Sequence, residues 1–277
     1  MSTPSKSSPR MLNSPIAISM KNRDLTGVDL SVDNYSGVSF EGSNLTSAKF
    51  LATILIKCVL KNAILIKADF YEADMTDANL TSANMTRVNL MDTILTKAIL
   101  IGSNLTLATG VRVILDEANL TKAIMIEANL RKAQLNATTI TKANLNRATL
   151  KGATLINTIA VKTKAEYTDF SKSKIKEVDF TSARLEGSIF NNATIFKTNF
   201  VSANVRMVNF TSVKFKNTDF SFADLTGSHF VNNDLTSVNF DNAILKDTKF
   251  VNVKVTPQFY EVLIKENINM NEITIVK

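Results

Sequence analysis

Tryptophan is absent, and cysteine and histidine occur once each, as Cys58 and His229. One thiol cannot close an intramolecular disulfide or build a multi-cysteine metal site. One imidazole cannot serve a site that needs two. With 8 glycines and 4 prolines in 277 residues, a chain rich in conventional tight turns is not expected. No apolar run approaches the ~18 residues that span a bilayer. Near the start, Pro15 to Ile18 falls short of the ~7 apolar residues of a secretory leader, so a cytoplasmic protein is expected, export by another route aside. No glycine-rich phosphate loop and no metal-ligand spacing is present, so no cofactor and no metal are expected.

What is present is periodicity. With 45% hydrophobic and 21% charged residues there is material for a large core. From Leu25 to Val255, 44 of the 47 residues whose numbers divide by five are large and apolar, 22 of them Leu and 13 Phe. Only Gly110, Ala160 and Ala165 leave that column unfilled. Two places earlier runs a small column, from Arg23 to Val253, in which Ala holds 20 of 47 positions. Asn or Asp often stands between the two columns, as in Ala78-Asn79-Leu80. A period of five fits neither an amphipathic helix nor a simple strand. It does fit a short extended segment ending in an abrupt corner, in which residues two apart face the same way, inward. From Phe170 to Phe250 every tenth residue is Phe, with mostly Leu, Ile and Val between and Phe215 as the intruder. A coil of four segments would put those rings on two opposite walls, each ring stacked one coil rise, ~4.8 Å, from the next.

These residues resemble the pentapeptide-repeat family, whose motif reads A(D/N)LXX, over residues 23–255. The resemblance implies an all-β solenoid, a right-handed quadrilateral β-helix of four repeats per coil. About twelve coils would make a rod of roughly 55 Å. At Gly110 and at Ala160 with Ala165, either a coil lacks its plug or a loop leaves the rod. Residues 1–22, rich in Ser and basic without an acid, read as a disordered tail. In residues 256–277, Thr256-Pro257 has the form of an N-cap followed by proline at the first helical position. Phe259, Tyr260, Val262, Leu263 and Ile264 then form a short helix. It is either a cap on the last coil or a dimer contact, since quinolone-resistance members of the family dimerise through that end.

Little points to catalysis. Cys58 falls in the small inward column and His229 has no partner at a useful spacing, so no catalytic residue is assigned. The Asn-Leu-Thr triplets follow from the repeat. Three surfaces stand out. Residues 131–176 gather Arg131, Lys132, Lys142, Arg147, Lys151, Lys162, Lys164, Lys172, Lys174 and Lys176 against Glu166 and Asp169, a net +8. This is either a solvated band or the seat of an anionic partner: an acidic protein, a lipid headgroup, or nucleic acid bound without sequence reading. Leu51, Tyr71, Met91 and Val111, with Ile54, Ile94 and Ile114, form an apolar strip at twenty-residue spacing, as contacts or as half-covered corners. Lys57, Asp77, Lys97 and Glu117 alternate in charge at the same spacing. The expected function is a non-catalytic scaffold that binds protein on the walls of a rigid rod. The alternative is a DNA-mimicking modulator of a type II topoisomerase, which the basic charge disfavours.

Overall fold

The computed structural model describes residues 19–276. Within them the chain winds as a four-walled β-helix. Each repeat has three extended residues and a two-residue corner. Ladder contacts join residues twenty apart, from Ser19 with Ser39 to Val255 with Ile275. Four repeats therefore make one coil, as the phenylalanine spacing predicts. Most walls touch by single bridges. Regular strands form toward the C-terminus: β1 (Thr154–Ile156), β2 (Lys174–Lys176), β3 (Thr194–Phe196), β4 (Asn209–Thr211), β5 (Lys214–Lys216), β6 (Thr218–Asp219), β7 (His229–Asp234), β8 (Val238–Asn239) and β9 (Lys249–Val255). Helix α1 (Pro257–Lys265) and β10 (Asn269–Ile275) close the rod. The parallel sheets are β1-β2-β3-β5 on one wall, β4-β7-β9-β10 and β6-β8.

The corners correct one expectation. Scarce glycine argues against tight turns, yet the rod is made of them. The Met75 carbonyl accepts from the Ala78 N–H at 3.0 Å, and Asp77 between them holds φ +58°. Positive φ at the third turn residue alone marks a type II turn, a place glycine usually fills. Here Lys, Glu, Arg and Asn hold it in coil after coil. Ladder hydrogen bonds across the corner, such as Asp77 N–H to Thr96 O at 2.9 Å, offset the strain. The residue before the large apolar one prepares the corner. Asn79 Oδ1 accepts from the Thr81 amide at 3.0 Å and its hydroxyl at 2.7 Å. The same pairing recurs at Asn104 with Thr106 and at Asp224 with Thr226. The Asn-Leu-Thr triplets are thus Asx turns written into the repeat.

The large and small columns are buried as predicted along most of the rod, including Leu80, Leu100 and Leu120; toward the ends Leu25, Val28, Val238 and Ala243 are only half-buried and Arg23 is exposed. Phe170, Phe190, Phe210, Phe230 and Phe250 stack on one wall at 4.8 to 5.3 Å between centroids. Phe180, Phe200, Phe220 and Phe240 stack opposite, and the two piles meet edge to face, as Phe190 and Phe200 do at 87°. Both geometries suit aromatic quadrupoles. Where threonine enters the small column its hydroxyl mostly reaches a carbonyl of the previous coil, as Thr93 does to Phe70 O at 2.7 Å, which satisfies an inward polar group; Thr198 bonds Phe196 O within its own coil, and Thr218 Oγ1 is buried without a partner. No loop leaves the rod at the weak repeats. Ala160 and Ala165 are buried, and their N–H groups reach Asp179 O and Arg184 O. A methyl at Gly110 would stand 3.0 Å from Leu130 Cδ2, so neighbours have closed over that slot.

The ends depart from the expected boundaries. Residues 1–18 of the expected tail lie outside the described residues. Ser19 to Asn22 already belong to the first coil, with Met20 N–H bonded to Ser39 O and Asn22 N–H to Glu41 O. Met20 occupies the large column, so this coil follows the same five-residue count. At the other end Thr256 caps α1, its Oγ1 accepting from Phe259 N–H at 3.3 Å. Phe259 lies flat on Phe240 at 4.4 Å and edge-on to Phe250, topping the aromatic core, and Leu263 is fully buried. Beyond the helix, β10 resumes the coil in register, with Met270 over Phe250 and Ile273 over Val253. Sequence reading stopped at Thr256 and missed this strand, although Met270 and Ile275 re-enter the five-residue count.

Candidate functional site

Because a coil is twenty residues, sequence neighbours ten apart face opposite sides. This splits the basic band. Arg131, Lys132, Lys151 and Lys172 share one corner. Lys142 and Lys162, continuing the column of Lys122, sit on the diagonally opposite corner. Lys164 lies on the wall that follows that corner, and Arg147 on the corner after. The ten cations of the window therefore form two groups on opposite sides of the rod.

The first group is extended by lysines that the window missed. The next wall is the β1-β2-β3-β5 sheet, in which Lys174 aligns with Thr154 and Thr194, and Lys214 follows. On its far edge Phe196 is half-buried, with Lys176, Lys197 and Lys216 Nζ 5.8, 5.4 and 5.9 Å from its ring centroid. Ammonium groups at this distance are drawn to the ring's negative face. Glu177 is the carboxylate among them, 3.8 Å from Lys176 and 3.9 Å from Lys197. Counting at a stride of twenty rather than along the chain would have found Lys197, Lys214 and Lys216.

The apolar strip lies on the same side of the rod, toward the N-terminus. Leu51, Tyr71, Met91 and Val111 precede Arg131 and Lys151 in one corner column, and Ile54, Ile94 and Ile114 precede Thr154 and Lys174 in the wall column. All are half-buried except Ile54, 41% exposed. Glu72 holds the Tyr71 hydroxyl and raises its pKa. Between strip and band, Arg112 grips Asp92, keeping that carboxyl below the usual range. In the alternating ladder, Lys97 and Glu117 pair at 3.7 Å with both ends exposed, a contact worth little.

The remaining candidates offer no reactive centre. Cys58 is fully buried, which pushes its thiol up to about 12. His229 is lowered by burial and then by Lys249. Among the described residues no group of His, Cys, Asp or Glu could hold a metal ion, and no helix is long and apolar enough to cross a membrane. Hollows of about 370 and 650 Å³ flank α1, lined by Phe240, Phe259 and Val262 and by Ala243, Ile244 and Ile268. Of the C-terminal residues singled out in the sequence, Phe259 and Tyr260 are half-buried and Leu263 is buried. Val262 and Ile264 remain exposed.

Comparison with known proteins agrees with this geometry. The family described as pentapeptide repeats (8 copies) matches residues 52–81, 73–109 and 114–152, and the pentapeptide repeat region matches 169–240. Together they cover more than half of the chain, which belongs to the pentapeptide-repeat family. No curated protein sequence matches it. Among solved structures, HetL, a pentapeptide repeat protein involved in heterocyst differentiation regulation in the cyanobacterium Nostoc, is 18% identical. The likeness covers 86% of this chain and 89% of HetL, with a TM-score of 0.46. A pentapeptide repeat protein of the Arabidopsis thaliana thylakoid lumen is 24% identical over 44% of this chain and 70% of its own, with a TM-score of 0.24. QnrB1, a plasmid-mediated fluoroquinolone resistance protein, is 13% identical over 86% of this chain and 99% of its own, with a TM-score of 0.26.

Proposed function

We propose that the protein is a non-catalytic, cytoplasmic scaffold that binds an anionic macromolecule, most simply an acidic protein, on one wall of its rod. The supporting observation is the side formed by the β1-β2-β3-β5 sheet and its two corners. There Arg131, Lys132, Lys151, Lys172, Lys174, Lys176, Lys197, Lys214 and Lys216 face Glu177 as the carboxylate in their midst. A rigid wall presents such charges without a backbone ordering cost, and the field they sum to steers an oppositely charged partner. Phe196 is already surrounded by its own lysines, so it offers no free platform for base stacking. A DNA-mimicking role needs a long acidic wall. Among the described residues acids stack no more than two coils deep in any column, as at Glu72 with Asp92.

Charge reversal tests this reading. Changing Lys174, Lys214 and Lys216 to Glu should abolish capture of the native partner and leave the far-ultraviolet spectrum unchanged. Reversing Lys142 and Lys162 on the opposite corner should change little. Binding that ignores the first set, or ignores ionic strength, defeats it. Self-association through the C-terminal end is a further part of the proposal. It is supported by Val262 and Ile264, exposed beside the hollows that flank α1, since a patch on a second copy can complement itself.

A further inference from the structure

Some cations of the rod meet a carboxylate in the adjacent coil: Lys21 with Glu41, Lys97 with Glu117, Arg184 with Glu166 and Arg206 with Asp224. The corner that carries Arg112 has one such pair, through Asp92. One coil further on the same corner turns wholly basic. Arg131, Lys132, Lys151 and Lys172 follow one another, and none forms an ion pair with a described residue. Asp169, on the preceding wall, uses Oδ1 to accept the Ser171 N–H at 2.8 Å and does not line the corner.

Gly152 turns these four cations into a site. It holds φ +71°, but Lys132 and Lys172, directly before and after it in the column, hold +58° with full side chains. Backbone conformation therefore does not demand glycine here. Nor does crowding, because a Cβ at 152 would meet only Lys132 Cγ, at an ordinary 3.6 Å. What the missing side chain provides is room. Arg131, Lys132, Lys151, Gly152 and Lys172 surround an open cavity of about 270 Å³.

We propose that this notch binds an oligophosphate group, a pyrophosphate or a longer phosphate chain. A terminal phosphate carries about 1.5 to 2 negative charges, so a chain with two such ends is roughly matched by four cations that have no other counter-charge. Arginine can engage phosphate oxygens in pairs, and the lysines act as mobile point charges around it. The lining has no aromatic ring to stack a base and no carboxylate to bridge a metal, so charge and chain length are what it recognises. Lys174 on the next wall offers a longer chain its continuation. The proposal rests on the basic side being a surface that binds anions, and adds to the macromolecule proposed above a small ligand held at one corner.

The test is calorimetric titration of the full chain with orthophosphate, pyrophosphate and tripolyphosphate. Affinity should rise with chain length and fall steeply with salt. Gly152→Asn leaves the charge unchanged and places in the notch a residue that Asn192 already shows to be tolerated at this corner. It should weaken tripolyphosphate binding at least tenfold without altering the melting curve. Lys132→Gln with Lys172→Gln should do the same, and Lys142→Gln with Lys162→Gln should not. Wild-type affinity in Gly152→Asn, or an equal loss from the opposite corner, overturns the proposal. So does binding to vesicles that carry a phosphoinositide with no binding of soluble tripolyphosphate. If Gly152→Asn behaves as wild type while reversal of Lys174, Lys214 and Lys216 still abolishes partner capture, the notch fails and the scaffold reading stands.

Discussion

Replacing Phe200 by alanine should be among the most damaging single changes in this rod. The ring is fully buried, parallel to Phe180 at 5.1 Å and Phe220 at 4.7 Å, with Phe190 edge-on at 6.1 Å. Truncating a buried phenylalanine costs about 3–5 kcal/mol through lost transfer energy and the cavity left behind. Two stacked partners are lost with it, each worth roughly 0.5–1.5 kcal/mol beyond area, which places the expected loss in the upper half of that range. Relaxation is limited because the ladder holds the coil, for example through the Phe200 N–H to Asp219 O bond at 2.7 Å. The measurement is urea unfolding followed by far-ultraviolet circular dichroism, with the slope compared between proteins. A solenoid is stabilised coil by coil, and a break in its cooperativity appears as a changed slope. Phe222 supplies the control: it is the same residue type at a corner, 60% exposed, and its alanine variant should stay within about 0.5 kcal/mol of wild type. A loss below about 2 kcal/mol for Phe200→Ala at unchanged slope, or one no larger than for Phe222→Ala, would refute the stacked core as a main source of stability.

Val262→Asp combined with Ile264→Lys should convert any dimer to monomer in light scattering while leaving the buried Leu263 and Phe259 contacts, and hence the melting temperature, nearly unchanged. A species whose mass does not respond removes the C-terminal contact. His229 carries a pH prediction. Burial and Lys249 lower its pKa, so the unfolded chain binds the extra proton more readily than the folded one. Stability is then present above the unfolded value of about 6.5 and lost as pH falls through it toward the folded value. His229→Asn, which repeats Asn209 of the coil before, should flatten the melting temperature over that interval. An unaltered pH dependence would assign it to other groups.

Much of the architecture is legible in the chain. Leu, Phe and Ala columns at a stride of five declare the inward faces. Phe170 to Phe250 at a stride of ten declare four walls, and Thr256-Pro257 declares the start of α1. The corners were less legible. Scarce glycine pointed away from tight turns because a single type II turn favours glycine, whereas here each left-handed residue is held by ladder bonds in its own and the adjacent coil. β10 was missed because α1 interrupts the count for most of a coil before Met270 resumes it.

The candidate site was legible only in part. The net +8 of residues 131–176 is a fact of the sequence, but a linear window winds around every side of a rod with a twenty-residue turn. Arg131 and Lys142 therefore seem neighbours in sequence and are placed on opposite corners, while Lys176 and Lys216 are forty residues apart and flank one Phe196 ring.

By itself the sequence determined the repeat, the buried columns and the absence of the residue sets that thiol or multi-histidine chemistry requires, because side-chain size at every fifth position decides what can face a narrow core. Only the tertiary structure decided which charges stand together, which remain without a counter-ion, and that Gly152 opens a notch between them. Those are properties of contacts across coils, where the interaction falls with distance in space and not with separation along the chain.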